Sequence, residues 1–244
     1  MSEERFLLLD SRDNKQYDGQ SSDCIFHLQN SDLNGINTVE LLNFSCPLTM
    51  YNVNSTNNTL YFNDGLVDRI VTLPPSNYDV YSLIAAVDLA MNSVSAVVFV
   101  TSYTNELMKI TVTGLSTFSF TFGTNTLNSA AKILGFRNEN TVSALAHQGN
   151  NVINLSIPLY ILIKVDGFSS ALKASNPFDK STFVVSTVGN NSDILTWTAG
   201  SFYKQKVKCF NNNVTNLHVT LRDYYNQSID LNGSHYSMLL KLNP

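Results

Sequence analysis

The residues best suited to bind a metal ion are four histidines and three cysteines. Cys24 and His27 have the spacing of a ligand pair, but the sequence holds no second pair. An alternating strand would also point these two side chains to opposite faces. No two histidines lie two positions apart with a carboxylate soon after them, as a cupin-type metal site requires. We therefore expect no metal ion and no cofactor, and we interpret Cys24 as a core thiol.

Two pairs of carboxylates are the strongest candidates for acid–base chemistry. Asp64 with Asp68, or Asp166 with Asp179, could supply the acid and the base of a glycosidase. Nothing in the sequence places either pair across a cleft, however, and Asp is a common turn residue. The sequence contains no nucleophile elbow and no glycine-rich phosphate-binding motif. It therefore predicts that the protein is not an enzyme.

A group of aromatic residues leaves two interpretations open. These residues could form a platform that stacks on sugars. They could also fill the core or a subunit interface, which is the more common use of such side chains. The residues concerned are Trp197, Tyr203, Tyr224, Tyr225 and Tyr236.

The charge of the chain argues against nucleic acid as a partner. With 15 Lys and Arg against 19 Asp and Glu, the net charge is -4, whereas phosphate binding needs a clustered basic face. The densest basic run places Lys204, Lys206 and Lys208 on one face of an alternating strand. We interpret this run as a solvated strand face and expect no binding of nucleic acid.

Uncharged polar residues take the place of the missing charges. The chain contains 30 Asn, 27 Ser and 20 Thr, while only 14% of its residues are charged. Such a surface can be buried against neighbouring subunits at little desolvation cost, because few ions have to leave water. The composition therefore favours a protein that packs into an assembly.

The sequence also predicts where the protein is made. No stretch approaches the ~18 consecutive apolar residues of a membrane span. The opening residues, MSEER, carry two acids and lead into no apolar segment of signal-peptide length. Three cysteines form an odd and sparse set, which indicates reduced thiols. We expect a protein that is synthesised inside a cell, is not secreted and has no membrane span.

Short strands with a period of two dominate the pattern outside residues 51–148. Two strands precede this region and six follow it, which is the pattern of a jelly roll with an insertion. We predict an all-β, mainly β fold: a single jelly-roll sandwich of eight strands over residues 21–50 and 149–244, with an inserted α+β domain. The strands are predicted at residues 24–28, 36–46, 152–165, 182–188, 194–197, 203–210, 217–223 and 236–242.

The inserted domain, residues 51–148, is predicted to contain two short helices. Apolar residues at helical spacing indicate the first over residues 80–92, with Asp79 as its N-cap. The second is expected over residues 128–134, capped by Asn128. Gly135 stands where a left-handed residue commonly ends a helix.

Several segments of the chain, taken in order, carry a family resemblance. They are FLLLDSRD (6–13), SSDCIF (21–26), CPLTMYNV (46–53), NNTLYF (57–62), TLPPSNY (72–78), ILGF (133–136), LHVTLRD (217–223), LNG (231–233) and SMLL (237–240). In content and order they resemble the penton (minor capsid) proteins of virophages and polinton-like viruses, which are related to vertex proteins of large double-stranded DNA viruses. The resemblance covers most of the chain through short motifs of strand and turn residues.

This resemblance implies a structural capsid protein that forms homopentamers at the fivefold vertices of an icosahedral double-stranded DNA virus. Its partners would be other copies of itself and the surrounding trimers of a double-jelly-roll major capsid protein. The insertion would project as a cap on the outer surface, where it could contact a host receptor. The expected location is the virion, at the capsid vertex, after synthesis in the host cell. The alternative is a jelly-roll binding module, displayed on the virion, that attaches to a receptor or a glycan.

The N-terminal residues 1–20 are polar apart from one apolar run, Phe6, Leu7, Leu8 and Leu9. A closed ring of subunits uses heterologous contacts, so two different faces of each subunit must fit each other. We predict that residues 1–20 form an extended arm whose apolar run docks on a neighbouring subunit.

Overall fold

The computed structural model of this 244-residue chain describes residues 4–13, 22–29, 33–170, 181–189, 193–200, 204–210 and 215–244. In these ranges it contains fourteen β-strands, one α-helix and a short 3-10 helix at Ser11–Asp13. In chain order the strands and the α-helix are β1 (Arg5–Asp10), β2 (Asp23–His27), β3 (Thr38–Pro47), β4 (Thr59–Asn63), β5 (Asp68–Thr72), α1 (Val80–Val94), β6 (Phe99–Thr104), β7 (Lys109–Phe120), β8 (Ala144–Gln148), β9 (Tyr160–Val165), β10 (Phe183–Ser186), β11 (Ile194–Thr198), β12 (Gln205–Lys208), β13 (Asn216–Arg222) and β14 (Ser237–Asn243).

The chain divides into two compact units. The first comprises the described residues up to Met50 together with those from Pro158 onward, and the second spans Tyr51–Ile157. The second unit begins where the insertion was predicted to begin but ends at Ile157 rather than at residue 148.

The first unit consists of two antiparallel sheets. One has the order β1–β14–β3–β11, with β12 beside β11 on the same edge of β3, and the other has the order β10–β9–β13–β2. Alternating burial along the strands points one face of each sheet into the core. The mainly β sandwich is therefore confirmed. The described strands of this unit number nine rather than eight, because β1 pairs along its whole length with β14.

The second unit is built on a sheet of order β5–β4–β7–β6, with β8 beside β7. Helix α1 packs on this sheet and begins at the predicted residue. The Asp79 carboxylate accepts from the Ser82 amide at 2.7 Å, and the Ser82 hydroxyl accepts from the Asp79 amide at 3.0 Å, which forms a capping box. Among the described residues no helix is both long and apolar enough to cross a membrane.

An aromatic core lies between α1 and the sheet of the second unit. Leu83, Val87 and Met91 of α1 are buried, as helical spacing predicted. They share one apolar cluster with the sheet's inward phenylalanines, of which Phe99 and Phe118 pack edge to face at 4.9 Å between ring centroids. This cluster gives the second unit a core of its own.

Residues 128–134 form turns rather than the predicted second helix. Asn128 has a φ of +53°, whereas an N-cap residue adopts an extended backbone. The end of this segment does follow the prediction. Gly135 has a φ of +78°, and the Phe136 amide donates to the Ala131 carbonyl at 2.7 Å, as in a Schellman motif.

The strand predicted over residues 152–165 is shorter than expected, because β9 begins only at Tyr160. The residues before it bond to the second unit instead. The Ile153 amide donates to the Met108 carbonyl at 2.9 Å, and the Asn154 amide donates to the Ile133 carbonyl at 3.1 Å. These bonds explain why the second unit extends beyond residue 148.

Asparagine side chains bond to backbone groups of the second unit that strand pairing leaves free. The Asn52 side chain donates to the carbonyls of Tyr78 at 2.8 Å and Leu155 at 3.1 Å, and it accepts from the Tyr78 amide at 2.9 Å. Asn92 uses both ends of its amide on one residue, accepting from the Phe99 amide at 2.7 Å and donating to the Phe99 carbonyl at 2.9 Å. These contacts join three segments of chain and attach α1 to the start of β6.

We predict that Asn92→Ala destabilises the second unit. The substitution leaves the Phe99 amide and carbonyl without their partners, which costs about 1–3 kcal/mol in the free energy of unfolding. Alanine's higher helix propensity offsets only a few tenths of this. Urea unfolding measures the change. Asn138→Ala is the control, because Asn138 is exposed and its side chain makes no hydrogen bond among the described residues. Equal stability of the two variants would contradict the prediction.

Candidate interaction surfaces

Strand β1 presents leucine and phenylalanine side chains to both sides of its sheet. Leu9 is buried in the core, whereas Phe6 and Leu8 point outward and are 54% and 65% exposed. Leu8 lies directly opposite Leu239 of β14, which is half-buried on the same outer face. Phe6, Leu8 and Leu239 together form an apolar surface, the β1 strip, at the edge of the sheet.

The predicted N-terminal arm is wrong for residues 5–13, which belong to the first unit. Their attachment is intramolecular, since β1 pairs with β14 and the Ser11 amide donates to the Tyr236 carbonyl at 2.9 Å. Of the apolar run, Leu7 and Leu9 face the core side and Phe6 and Leu8 face outward. The remaining residues of the predicted arm, 1–3 and 14–20, lie outside the described residues. Docking of the run on a neighbour stays a prediction.

A row of charged side chains crosses the same outer face next to the β1 strip. Phe6 lies opposite Lys241, Lys241 opposite Glu40, and Glu40 opposite Lys206. Glu40 is nearly buried, and its Oε1 lies 3.9 Å from Nζ of Lys204. On β12 the lysines point outward while Val207 is buried, as the alternation predicted. The lysine run is therefore part of this sheet face, beside a carboxylate.

The structure separates the candidate metal ligands. Cys24 is buried in the core, and His27 lies on the other face of β2, where its Nδ1 is 2.6 Å from Oδ1 of Asn216. Within the described ranges no group of three or more His, Cys, Asp or Glu side chains is placed to hold a metal ion.

Asp64 has a structural role at the end of β4. Its carboxylate accepts from the amides of Leu66 and Val67, from Nε of Arg69 at 2.8 Å and from the Ser95 hydroxyl at 3.0 Å. These donors, the Val67 amide first, hold the pKa of Asp64 well below its ordinary value despite burial. The carboxylate thus links the β4–β5 turn to the end of α1.

The other candidate carboxylates do not complete an acid–base pair. Asp68 accepts from Nδ2 of Asn63 at 2.8 Å in an exposed position. Asp166 is exposed and forms an ion pair with Lys164 at 3.5 Å. Asp179, its predicted partner, lies outside the described residues.

We predict that Asp64→Asn lowers the free energy of unfolding by about 1–3 kcal/mol at neutral pH, because a buried charge-assisted network is lost. Since folding depresses the pKa of Asp64, its contribution is present above the unfolded pKa and disappears as the pH falls through the folded value. Urea titrations at several pH values should therefore show the gap between variant and wild type narrowing in acid. Asp68→Asn is the matched control and should change stability little; a gap independent of pH would contradict the assignment.

His218 joins three chain segments on the outer face of the second sheet. Its Nε2 lies 2.5 Å from Oδ1 of Asp23, and its Nδ1 lies 3.1 Å from Oδ2 of Asp166. A neutral imidazole has only one N–H, so two carboxylate partners favour the doubly protonated ring. Partial burial lowers the pKa of His218, but the hydrogen bonds and charges of both carboxylates outweigh it, so the pKa is raised.

We predict that His218→Asn destabilises the protein only while the histidine is charged. With a raised folded pKa, the stabilisation is fully present below the unfolded pKa and is lost as the pH rises through the folded value. The loss at about pH 6 should be up to about 1 kcal/mol, because the pairs are partly exposed. Urea unfolding at about pH 6 and about pH 9 tests this. His27→Asn controls for removal of an exposed strand histidine; the same loss for His218→Asn at both pH values would contradict the prediction.

The candidate aromatic residues do not form one platform. Tyr236 is buried in the core and Trp197 is half-buried, whereas Tyr224 and Tyr225 are exposed on the turn after β13, edge to face at 5.5 Å. Tyr203 lies outside the described residues. The core interpretation is therefore correct for Tyr236, and the exposed pair is a separate feature.

The second unit also exposes apolar side chains. Val98, Val100 and Leu115 are each at least half exposed, and the Leu115 amide donates to the Val98 carbonyl at 3.0 Å. Val100 lies two residues beyond Val98, so all three share the face of the sheet opposite the aromatic core. We call this set the insertion patch. It carries no charged residue.

Sequence reasoning missed the bridge between Asp23, His218 and Asp166. The alternation of β2 and β13 does place Asp23 and His218 on outward faces. Which outward residues meet depends on the pairing of strands that are 195 residues apart in sequence, and the pattern within each strand contains no information on that pairing.

Comparison with known proteins gives a match in structure alone. No protein-family model and no curated protein matches the chain. The crystal structure of the selenomethionine-labelled mavirus penton protein is similar over 99% of this chain and 99% of that one, with a TM-score of 0.52 and 10% sequence identity. At this identity the likeness shows the fold. The resemblance to penton proteins, drawn from short motifs, is therefore confirmed at the level of the fold.

Proposed function

We propose that the protein is a penton subunit, a structural capsid protein that forms homopentamers at the fivefold vertices of an icosahedral double-stranded DNA virus. The observation that carries the proposal is the match to the mavirus penton protein over 99% of both chains. Jelly rolls alone serve many functions. This match includes the second unit as well as the sandwich. It therefore supports a role shared with the mavirus protein more strongly than a match to the jelly roll alone would.

The β1 strip is our candidate for one of the two faces that close the ring. A ring with fivefold symmetry needs a surface on each subunit that fits a different surface on the next. The strip combines exposed apolar side chains with a sheet edge that pairs with no other strand among the described residues. Both features favour contact with a protein surface over contact with water.

The proposed partners follow from the same position. A subunit at a fivefold vertex would contact the surrounding double-jelly-roll major capsid protein as well as its own copies, in the virion. The scarcity of charged residues supports such packing, since only 14% of the chain is charged and few ions would lose their hydration at the contacts. We propose a structural role, without catalysis.

The alternative is a binding module that attaches the virion to a receptor or a glycan. The observation that favours it is the insertion patch, whose three large apolar residues are exposed and uncharged. Val100→Asp with Leu115→Asp in the full chain would abolish binding to host cells or to a glycan array if the patch were the attachment site. Unchanged binding would exclude the patch.

Light scattering of the purified full chain tests the penton proposal. We expect a species of five times the 27.1 kDa chain mass. Leu8→Asp should shift assembly to at least about tenfold higher protein concentration, because burying a leucine contributes about 1.5–3 kcal/mol per contact. A stable trimer would contradict the penton proposal. Assembly that is unaffected by Leu8→Asp would contradict the role of the β1 strip.

Leu9→Ala is the matched control on the same strand. Leu9 points into the core and is 3% exposed. Its truncation should therefore lower the free energy of unfolding by about 2–5 kcal/mol, as buried leucines do. Leu8→Asp should leave that free energy nearly unchanged. Loss of folding in Leu8→Asp would mean that the strip belongs to the core and does not form a docking surface.

A further inference from the structure

We propose that Asn34 is a site of spontaneous deamidation in the folded protein, and that Asn232 is protected from the same reaction. Both residues lie in an identical tripeptide, Leu-Asn-Gly, at residues 33–35 and 231–233. These are the two Asn-Gly pairs of the chain. The local sequence is thus nearly the same, and any difference in rate between the sites comes from the structure.

The reaction is an attack by the backbone on the side chain. The amide nitrogen of the following glycine loses its proton and bonds to Cγ of Asn, the bond from Cγ to Nδ2 breaks, and the NH2 group gains a proton and leaves as ammonia. Water then opens the resulting succinimide at either carbonyl, which yields aspartate or isoaspartate without any change of oxidation state. Glycine favours the attack because it has no Cβ to obstruct the nitrogen and leaves the backbone free to rotate.

The turn at Asn34 leaves the reacting groups open. It is closed by the Ile36 amide, which donates to the Leu33 carbonyl at 3.1 Å, and both Asn34 and Gly35 are exposed. The Asn34 side chain has no hydrogen-bond partner among the described residues; only its backbone carbonyl accepts, from Arg5 at 3.4 Å. Apart from its chain neighbours, no residue has an atom within 4 Å of the position that a Cβ on Gly35 would take; the same is true of Gly233, so the two sites differ in the hydrogen bonds of the asparagine and not in open space.

The turn at Asn232 holds the same groups in place. Its Nδ2, the nitrogen that would leave as ammonia, donates to the Thr49 carbonyl. Its backbone amide donates to Oδ1 of Asp230 at 2.7 Å, and its φ of +50° fixes the residue in the left-handed region. The side chain would have to break its hydrogen bond before Cγ could reach the Gly233 nitrogen. The structure therefore opposes the reaction here.

Deamidation at Asn34 would change the protein where β1 and β3 begin. It adds one negative charge beside Arg5, the first residue of β1, and so makes the net charge of -4 more negative by one unit. Isoaspartate also adds a methylene to the backbone of the turn that leads into β3. The chain would thus acquire a slow, time-dependent change of charge and geometry next to the β1 strip.

Peptide mapping by mass spectrometry of the folded full chain, incubated at mildly alkaline pH, tests the proposal. We expect conversion at Asn34 to exceed that at Asn232 by about tenfold or more, the rate factor that corresponds to one retained hydrogen bond. In urea the two sites should convert at similar rates. Equal rates in the folded chain, or the same inequality in urea, would overturn the proposal.

Two variants provide the controls. Asn34→Gln keeps an amide but lengthens the side chain, and should abolish the acidic species that accumulates on ion exchange. The group of Thr49 that accepts from the Asn232 side chain is a backbone carbonyl, which a substitution does not remove. Asp230 accepts through its side chain, so Asp230→Ala is the better means of loosening the second turn. It should speed conversion at Asn232 without affecting Asn34. If Asn232 in Asp230→Ala stays unreactive in the folded chain while it converts in urea, the bond to Asp230 does not contribute to the protection, and the bond from Nδ2 to the Thr49 carbonyl alone must account for it.

Discussion

Backbone amides and carbonyls that strand pairing leaves free need partners, and in a chain with so few charges asparagine supplies many of them. In the second unit, Asn52, Asn92 and Asn140 each bond through the side-chain amide to the backbone of another segment, and Asn140 accepts from the amides of both Gly123 and Thr124. A buried backbone group without a partner is costly. The asparagine content therefore serves internal structure as well as a surface that can pack against neighbours.

The elements that depend on local chemistry were predictable, and those that depend on distant pairing were not. Alternation located β2, and the Asp79 cap located the start of α1. The helix expected at Asn128 failed because a left-handed residue stands where an extended cap was required. Strand β1 was mistaken for an arm because its partner, β14, lies at the other end of the chain, and a strand's own residues do not reveal which strand it pairs with.

The two faces of β1 differ in exposure, and under the penton proposal one serves folding and the other assembly. One residue, Leu9, contributes to the core, and its neighbour Leu8 is left exposed on the outside of the same sheet. If polar residues alternated with apolar ones on β1, as they do on β12, its outer face would be hydrated. An exposed apolar face at a sheet edge instead promotes aggregation in a protein that stays monomeric, whereas in a subunit of a ring it can be buried against the next subunit. The exposed apolar face of β1 therefore supports the proposal that the chain is a subunit of a larger shell.

The most direct test of the vertex assignment is electron cryo-microscopy of capsids assembled from this chain and the major capsid protein of the same virus. The penton proposal predicts density at each fivefold axis that fits five copies of the sandwich, with the β1 strip against a neighbouring subunit. Fivefold positions filled by another protein, with this chain absent or located elsewhere in the shell, would contradict it.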